Sequence, residues 1–374
     1  MVRPSLGSTC LVLGLAACGG SGASSSAPPG AADGASGNVD LGECTTRTLP
    51  FYVLDADYST SLDRIVVLST GPSVVLVDPS TASTLMIPLP AMGASLSLAP
   101  DGRSAAVAHD HAVSIVDLAQ QTPTANIPTT TDAGDIVMGG NGFAYVFPHG
   151  GGNSSIRVDV HSIEIAKAVD HGNDSMGQLD VGTLAKLHPS GSWIYGSILT
   201  VSPGALERNN LTAGIANGFA FQRDQGDGSV CGDLWLSADG LDAFTGCGTI
   251  YRLTPGTGND MVYRASLQQV PSTRPVEALF QSISLVPDKD RIYALIGQQI
   301  GDPQAIPLEG QVGTFSYNSL DLLGTKAIPC IARDSQKHLA VGHYVFTSAD
   351  RTKLYVLAQS PIDPIWGLAT FALE

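Results

Sequence analysis

Short apolar runs alternate with small polar turns along this chain, and one unit of run, turn and second run returns seven times. Five copies are plain: Leu98-Ala-Pro-Asp-Gly-Arg-Ser-Ala-Ala-Val107, Leu187-His-Pro-Ser-Gly-Ser-Trp-Ile-Tyr195, Leu236-Ser-Ala-Asp-Gly-Leu-Asp-Ala-Phe244, Leu285-Val-Pro-Asp-Lys-Asp-Arg-Ile-Tyr293 and Phe346-Thr-Ser-Ala-Asp-Arg-Thr-Lys-Leu-Tyr355. Two weaker copies run from Tyr58 to Val67 and from Val137 to Val146. Their turn residues, Ser61, Asp101, Asn141, Ser190, Asp239, Asp288 and Asp350, are spaced by 40, 40, 49, 49, 49 and 62 positions. Steps of that size match single propeller blades, whereas tandem immunoglobulin-like sandwiches would give units of ~100 residues.

Runs such as Arg64–Leu68, Ser104–Ala108, Arg291–Ile296 and Lys353–Ala358 are too short for typical helices. Apolar on both faces, such strands need covering on both, and blades stacked around an axis provide that cover. The pattern therefore predicts an all-β fold, a seven-bladed β-propeller over residues 41–374. A third strand is expected at Val74–Thr81, Val113–Leu118 and Ile156–Val160, half covered. The final copy shows only three strands, from Leu339 to Val345, Leu354 to Gln359 and Trp366 to Leu373, while an orphan segment precedes the first copy. Pairing of Cys44–Pro50 with Gly367–Leu373 is thus expected to close the ring, because closure removes an unpaired edge.

The first residues change the picture by naming a compartment. Arg3 is a positive start, Leu11–Ala17 is a short apolar run, and Leu15-Ala16-Ala17-Cys18 puts small residues before a cysteine. This resembles the lipobox of bacterial lipoproteins. The resemblance implies a signal peptide over residues 1–17, removal of it before Cys18, and a lipid carried by Cys18; a plain secretory signal is the competing reading. The apolar run falls short of the ~20 residues that a spanning helix needs. Gly19 after the cysteine favours the outer membrane over inner-membrane retention. Residues 18–40, rich in Gly, Ser, Ala and Pro, read as a flexible leash with a root-mean-square span of ~25 Å. A formal charge of −15, from 34 acidic against 19 basic residues, argues against a nucleic-acid partner. The expected partners are a membrane, through the lipid, and a protein or glycan.

The pairing of a Pro-Asp-Gly-type turn with a later Val77-Asp-Pro-Ser-Thr81 or Val116-Asp-Leu118 resembles the YVTN-type and TolB-like propeller repeats of bacterial envelope proteins. The likeness covers residues 50–374 and is best in the first two copies, which run on to Ile87-Pro88 and Ile127-Pro128. It implies a fold and leaves the chemistry open, since propellers host enzymes, binders and scaffolds alike.

With Cys10 in the signal and Cys18 acylated, Cys44, Cys231, Cys247 and Cys330 remain, and four cysteines allow three connectivities. Cys231 and Cys247 flank Asp239 symmetrically, which would set them opposite each other on adjacent strands; this leaves Cys44 with Cys330 at the closure. A zinc site is the alternative, without supporting CxxC or His spacing. Other candidate chemistry meets plainer readings. His109 and His111 form an i, i+2 pair able to ligate a metal but sit where a turn belongs. Pro148-His149-Gly-Gly-Gly152 echoes an oxyanion loop, without the Gly-x-Ser-x-Gly elbow that should accompany it, and runs into Asn153-Ser154-Ser155 as a hairpin loop would. Asp224, Asp227 and Asp233 surround a glycine-rich bend whose spacing fits no calcium loop. His188 belongs to a blade turn, and Trp193, Trp235 and Trp366 to strand packing. No residue set requires a cofactor. The sequence points first to a non-catalytic, envelope-anchored binding scaffold, and second to a lactonase- or lyase-like propeller enzyme acting at the central channel.

Overall fold

The computed structural model describes residues 43–149, 157–172, 178–180, 182–198, 204–211, 214–216, 230–268, 279–297 and 310–373. Residues Leu41–Glu374 form one compact unit, which is a seven-bladed β-propeller. Six blades have four antiparallel strands each, and the fourth blade has three described strands. Blade 1 is built from Val53–Ser59, Arg64–Ser69, Ser73–Val77 and Thr84–Pro88, numbered from the axis outward. Blades 2 to 6 follow in order, and blade 7 ends with Trp366–Ala372. All seven turn residues seen in the sequence join the first and second strands of their blades.

The near-continuous apolar strands are explained by where alternate side chains go. In the second strand of blade 1, Val66 and Leu68 join a core shared with blade 2, while Ile65 and Val67 join one shared with blade 7. Among the described residues seven such cores occur, one for each interface between neighbouring blades. Each strand face therefore buries apolar surface at ~25 cal/mol per Å2 against a different neighbour.

Two strand expectations need correction. The third strands of blades 1 and 2, Ser73–Val77 and Ala112–Asp117, are buried on both faces; the half-covered strands are the fourth, such as Thr84–Pro88. The blade still has an outer neighbour at its third position, so full cover extends one strand further out. In blade 3 the third strand is His161–Glu164, and Arg157–Asp159 pairs with Gln178–Asp180 in a separate two-stranded sheet.

The ring closes where Arg47–Leu49 pairs antiparallel with the last strand of blade 7, Arg47 opposite Leu368 and Leu49 opposite Trp366. The closing strand has only three residues, and it is fastened from its other side. Thr46 bridges to Ile331, its hydroxyl donates to the Pro329 carbonyl at 2.6 Å, and the Thr48 hydroxyl donates to Ala332 O at 2.9 Å. Cys44 is bonded to Cys330 beside these contacts, with Cα atoms 4.5 Å apart. Cys231 is bonded to Cys247, Cα atoms 5.4 Å apart. This second pair is not on adjacent strands: pairing ends at Leu234 opposite Thr245, and Cys247 lies in the Gly246-Cys247-Gly248 turn beyond it. The symmetric spacing held, but the strands are shorter than it assumed.

The loop-entropy account assigns ~3 kcal/mol to a bond of separation 16 and ~5 kcal/mol to one of separation 286. The Cys330→Ser protein is expected to unfold at lower denaturant than Cys247→Ser, checked by equilibrium urea unfolding. Equal midpoints would show that closure does not depend on the clasp.

Candidate functional site

The innermost strand of each blade has a free edge, and its backbone N–H groups need partners that no ladder supplies. Side chains from the preceding blade fill this role. Asp55 accepts from Leu96 N at 2.8 Å, Asp135 from Ala185 N at 2.7 Å, Ser97 from Met138 N at 2.9 Å and Ser282 from Val345 N at 3.1 Å. The Ser95 hydroxyl donates to Asp135 at 2.7 Å, linking three blades through one carboxylate. A β-bulge precedes Asp55, Asp135, Ser282 and Tyr344. The extra residue re-aims the side chain that follows, and each of these four reaches the inner strand of the following blade, Tyr344 by donating to Leu54 O at 3.0 Å.

A second ring of bonds ties the turns together at the opposite end of these strands. The Ser59 hydroxyl donates to Gly102 O at 2.6 Å, His188 Nε2 lies 2.9 Å from Gly240 O, and Ala349 N donates to the Tyr58 hydroxyl at 3.1 Å. Gly240 has φ +71°, and a Cβ there would collide with the His188 ring, so the glycine of this turn is required on both counts.

Between the rings lies a cavity of about 820 Å3 on the axis, walled by the inner strands of all seven blades. Its charged groups are Asp55 and Asp57 of blade 1, Asp135 of blade 3, Lys186 of blade 4 and Asp233, which leads into blade 5, with Arg351 at the far end. Arg351 is paired with Asp288. Lys186 Nζ lies 3.1 Å from Asp233 Oδ2, the two side chains being 42% and 32% exposed. Desolvation alone would lower the Lys186 pKa, but attraction to Asp233, Asp135 and Asp55 outweighs it, and the net shift is upward. Desolvation raises Asp55 against the pull of Lys186. Asp135 is only 8% exposed, and desolvation pushes it up to about 6 although Lys186 and two hydrogen bonds oppose the change. Trp235, Tyr344 and Phe346 add aromatic wall; the Tyr344 and Phe346 rings stack at 6.3 Å and 11°.

The sequence candidates scatter. Asp233 belongs to the channel rather than to a surface loop, because Lys186 holds it there; Asp224, Asp227, the glycines after His149 and Asn153–Ser155 lie outside the described residues. His149 is exposed. His109 and His111 do not act as a pair. His109 ends a strand, buried, with Nδ1 2.9 Å from Met92 O and Nε2 2.8 Å from Ser114 Oγ, while His111 occupies a left-handed turn at φ 61° and meets Asp132 at 3.1 Å. Trp366 is packed in the closing core. Trp193 is partly buried, with the Arg208 guanidinium 5.3 Å from its ring centre. Among the described residues no group of three or more His, Cys, Asp or Glu could hold a metal. Sequence reading missed Asp55, Asp57, Asp135 and Lys186. The exact 40-residue steps from Asp55 to Ser95 to Asp135 were the available signal.

No family model matches the chain, and no curated protein sequence does. Among solved structures, hydrazine synthase of Kuenenia stuttgartiensis superposes with a TM-score of 0.62 at 13% identity, over 87% of this chain and 97% of that one. The β-propeller domain of Myceliophteria thermophila Cps50 (Swd1) gives 0.61 at 10% identity, over 88% and 100%. One is an enzyme and the other a propeller domain, so the likeness establishes the fold alone.

The folded protein holds the Asp135 proton more tightly than the unfolded chain, whose carboxyl titrates near 3.8. This contribution to stability is therefore present below about pH 4 and lost as pH rises to about 6. Thermal melts of wild type and Asp135→Asn across pH 4 to 7 should show the wild type losing on the order of 2 kcal/mol relative to the variant. Parallel pH profiles would mean that Asp135 is not held at a raised pKa.

Proposed function

We propose that this protein is a bacterial envelope lipoprotein of the YVTN-type or TolB-like propeller group, a non-catalytic scaffold that binds its partner in the central channel. Cys18 carries the lipid, residues 18–40 are the leash, and the outer membrane is the anchoring surface. Leu15-Ala16-Ala17-Cys18 and the Gly/Ser-rich stretch after it support the tether. The observation that carries the binding role is the engagement of the channel's charges. Asp55 and Asp135 hold the inner strands of neighbouring blades, and Lys186 is paired with Asp233. Hydrogen bonds and the ion pair hold these polar groups in place before any ligand arrives, and a few placed polar groups are what orient a ligand in a concave site.

The second reading, a lactone-hydrolysing or eliminating enzyme at the same channel, draws support from Asp135, since a carboxyl near pKa 6 can exchange protons at neutral pH. Both of its oxygens are engaged, by Ser95 and Ile136 on one and Ala185 on the other, which weighs against it.

The Cys18→Ser protein is expected to leave the membrane fraction, and the N-terminal peptide of wild type to carry acyl mass. Retention of Cys18→Ser with detergent-soluble envelope would refute the tether. Incubation with a lactone panel should leave the compounds unchanged; turnover abolished by Asp135→Asn would establish the enzyme reading instead.

A further inference from the structure

The two ends of the ring differ in chemistry, and the chain enters the fold at the apolar one. Strand direction alternates within a blade, so turns from first to second and from third to fourth strand mark one end. Loops from second to third strand, and the connections between blades, mark the other. At the first end, blades 7, 1 and 2 are crowded with charge, Asp63, Arg64, Asp78, Asp101, Arg103 and Asp350 among it. At the second end the same blades present residues 50–54, 70–72, 89–94 and 360–365. The one charged side chain in those segments is Asp363, which His338 Nδ1 meets at 2.8 Å. Tyr52, Leu54, Met92 and Ile362 stand exposed there, Ile362 at 77%, and Pro72, Pro90 and Pro361 are exposed as well. The loops form one surface: Thr70 N donates to Tyr52 O at 3.2 Å and Leu89 N to Pro72 O at 2.8 Å. Charge returns further round the ring, at Asp110, His111 and Asp132.

Cys330 lies at this same end. It follows the fourth strand of blade 6, Leu322–Ala327, in the connection to blade 7, and Cys44 is bonded to it. The segment that leads back to Cys18 therefore joins the fold beside the apolar loops. Contact with lipid would strip water from the charged end at a cost that the apolar end does not incur. Given the Cys18 lipid proposed above, on which this rests, we infer that the apolar end of blades 7, 1 and 2 docks on the bilayer that holds the lipid, with Tyr52, Leu54, Met92 and Ile362 at headgroup depth. A few apolar side chains bind a bilayer weakly by themselves. A leash of ~25 Å keeps them beside it at an effective concentration of ~mM, so weak binding fixes the orientation without retaining untethered protein. The channel is then approached from its charged end, where its lining reaches Thr60, Ala238 and Arg351.

Two methionines supply the test. Met92 and Met86 are 63% and 62% exposed, but Met86 lies on the outer flank, in Thr84–Pro88. The lipidated full chain, reconstituted into vesicles of phosphatidylethanolamine and phosphatidylglycerol, is treated with hydrogen peroxide, and sulfoxide is followed at each site by peptide mass. Met92 should oxidise at least fivefold more slowly than Met86 on vesicles, and within twofold of it in soluble Cys18→Ser protein. On vesicles Ile362→Asp should restore Met92 oxidation, whereas Leu323→Asp, on the outer strand of blade 6, should not. Both replace exposed side chains, and the melting profile of each variant shows that it is folded. Equal oxidation of the two methionines on vesicles, or protection indifferent to Ile362→Asp, would overturn the docking; acyl mass on the N-terminal peptide of the same sample would leave the tether standing. Absence of acyl mass would remove the tether and the docking with it. Met92 protection in soluble Cys18→Ser protein that grows with protein concentration would overturn the bilayer as occupant and assign the face to a second copy of this chain.

Discussion

Every blade of this propeller is apolar on both faces, and that one constraint governs the rest of the structure. Val66 and Leu68 need blade 2 just as Ile65 and Val67 need blade 7. Burial is therefore divided among interfaces, and no blade can satisfy its own strands. A linear stack of such blades would leave two large apolar faces in water. Closing the ring removes both, which is why a three-residue strand at Arg47–Leu49 is reinforced by Thr46, Thr48, the Cys44–Cys330 bond and a buried Leu49.

The channel is a consequence of the same closure. Bringing seven inner strands to one axis leaves backbone donors that no ladder pairs, within reach of the preceding blade. Asp55, Asp135, Ser97 and Ser282 satisfy such donors, so the polar lining of the cavity is first of all a structural requirement. The Lys186–Asp233 pair adds further charge to that lining. The raised pKa of Asp135 has the same origin, for a carboxylate that must reach a neighbouring backbone is drawn out of water.

Much of the fold was legible because blade geometry repeats locally. The first and second strands and the turn between them leave a compact sequence trace, as at Leu98–Val107, and ring closure could be argued from the orphan segment at Cys44–Pro50. The third strand was misjudged in cover, since burial at Ser73–Val77 depends on how far the neighbouring blade reaches, which a strand's own residues do not record. The site was largely illegible. Asp55, Asp135 and Lys186 come from three blades, with intervals of 80 and 51 residues, and their convergence exists only in the closed ring. Bulges deepened the difficulty: the residue inserted at Leu54 or Gly134 shifts the alternation by which a face would be assigned.

If mutual cover between blades holds the molecule together, protection should be lost from all blades as one unit. Native-state hydrogen exchange under rising denaturant tests this most directly, by following the second strand of each blade, Arg64–Ser69 and Lys353–Gln359 among them. The account predicts that all converge on a single opening free energy. Separate, stepwise opening of individual blades, with neighbours still protected, would contradict it.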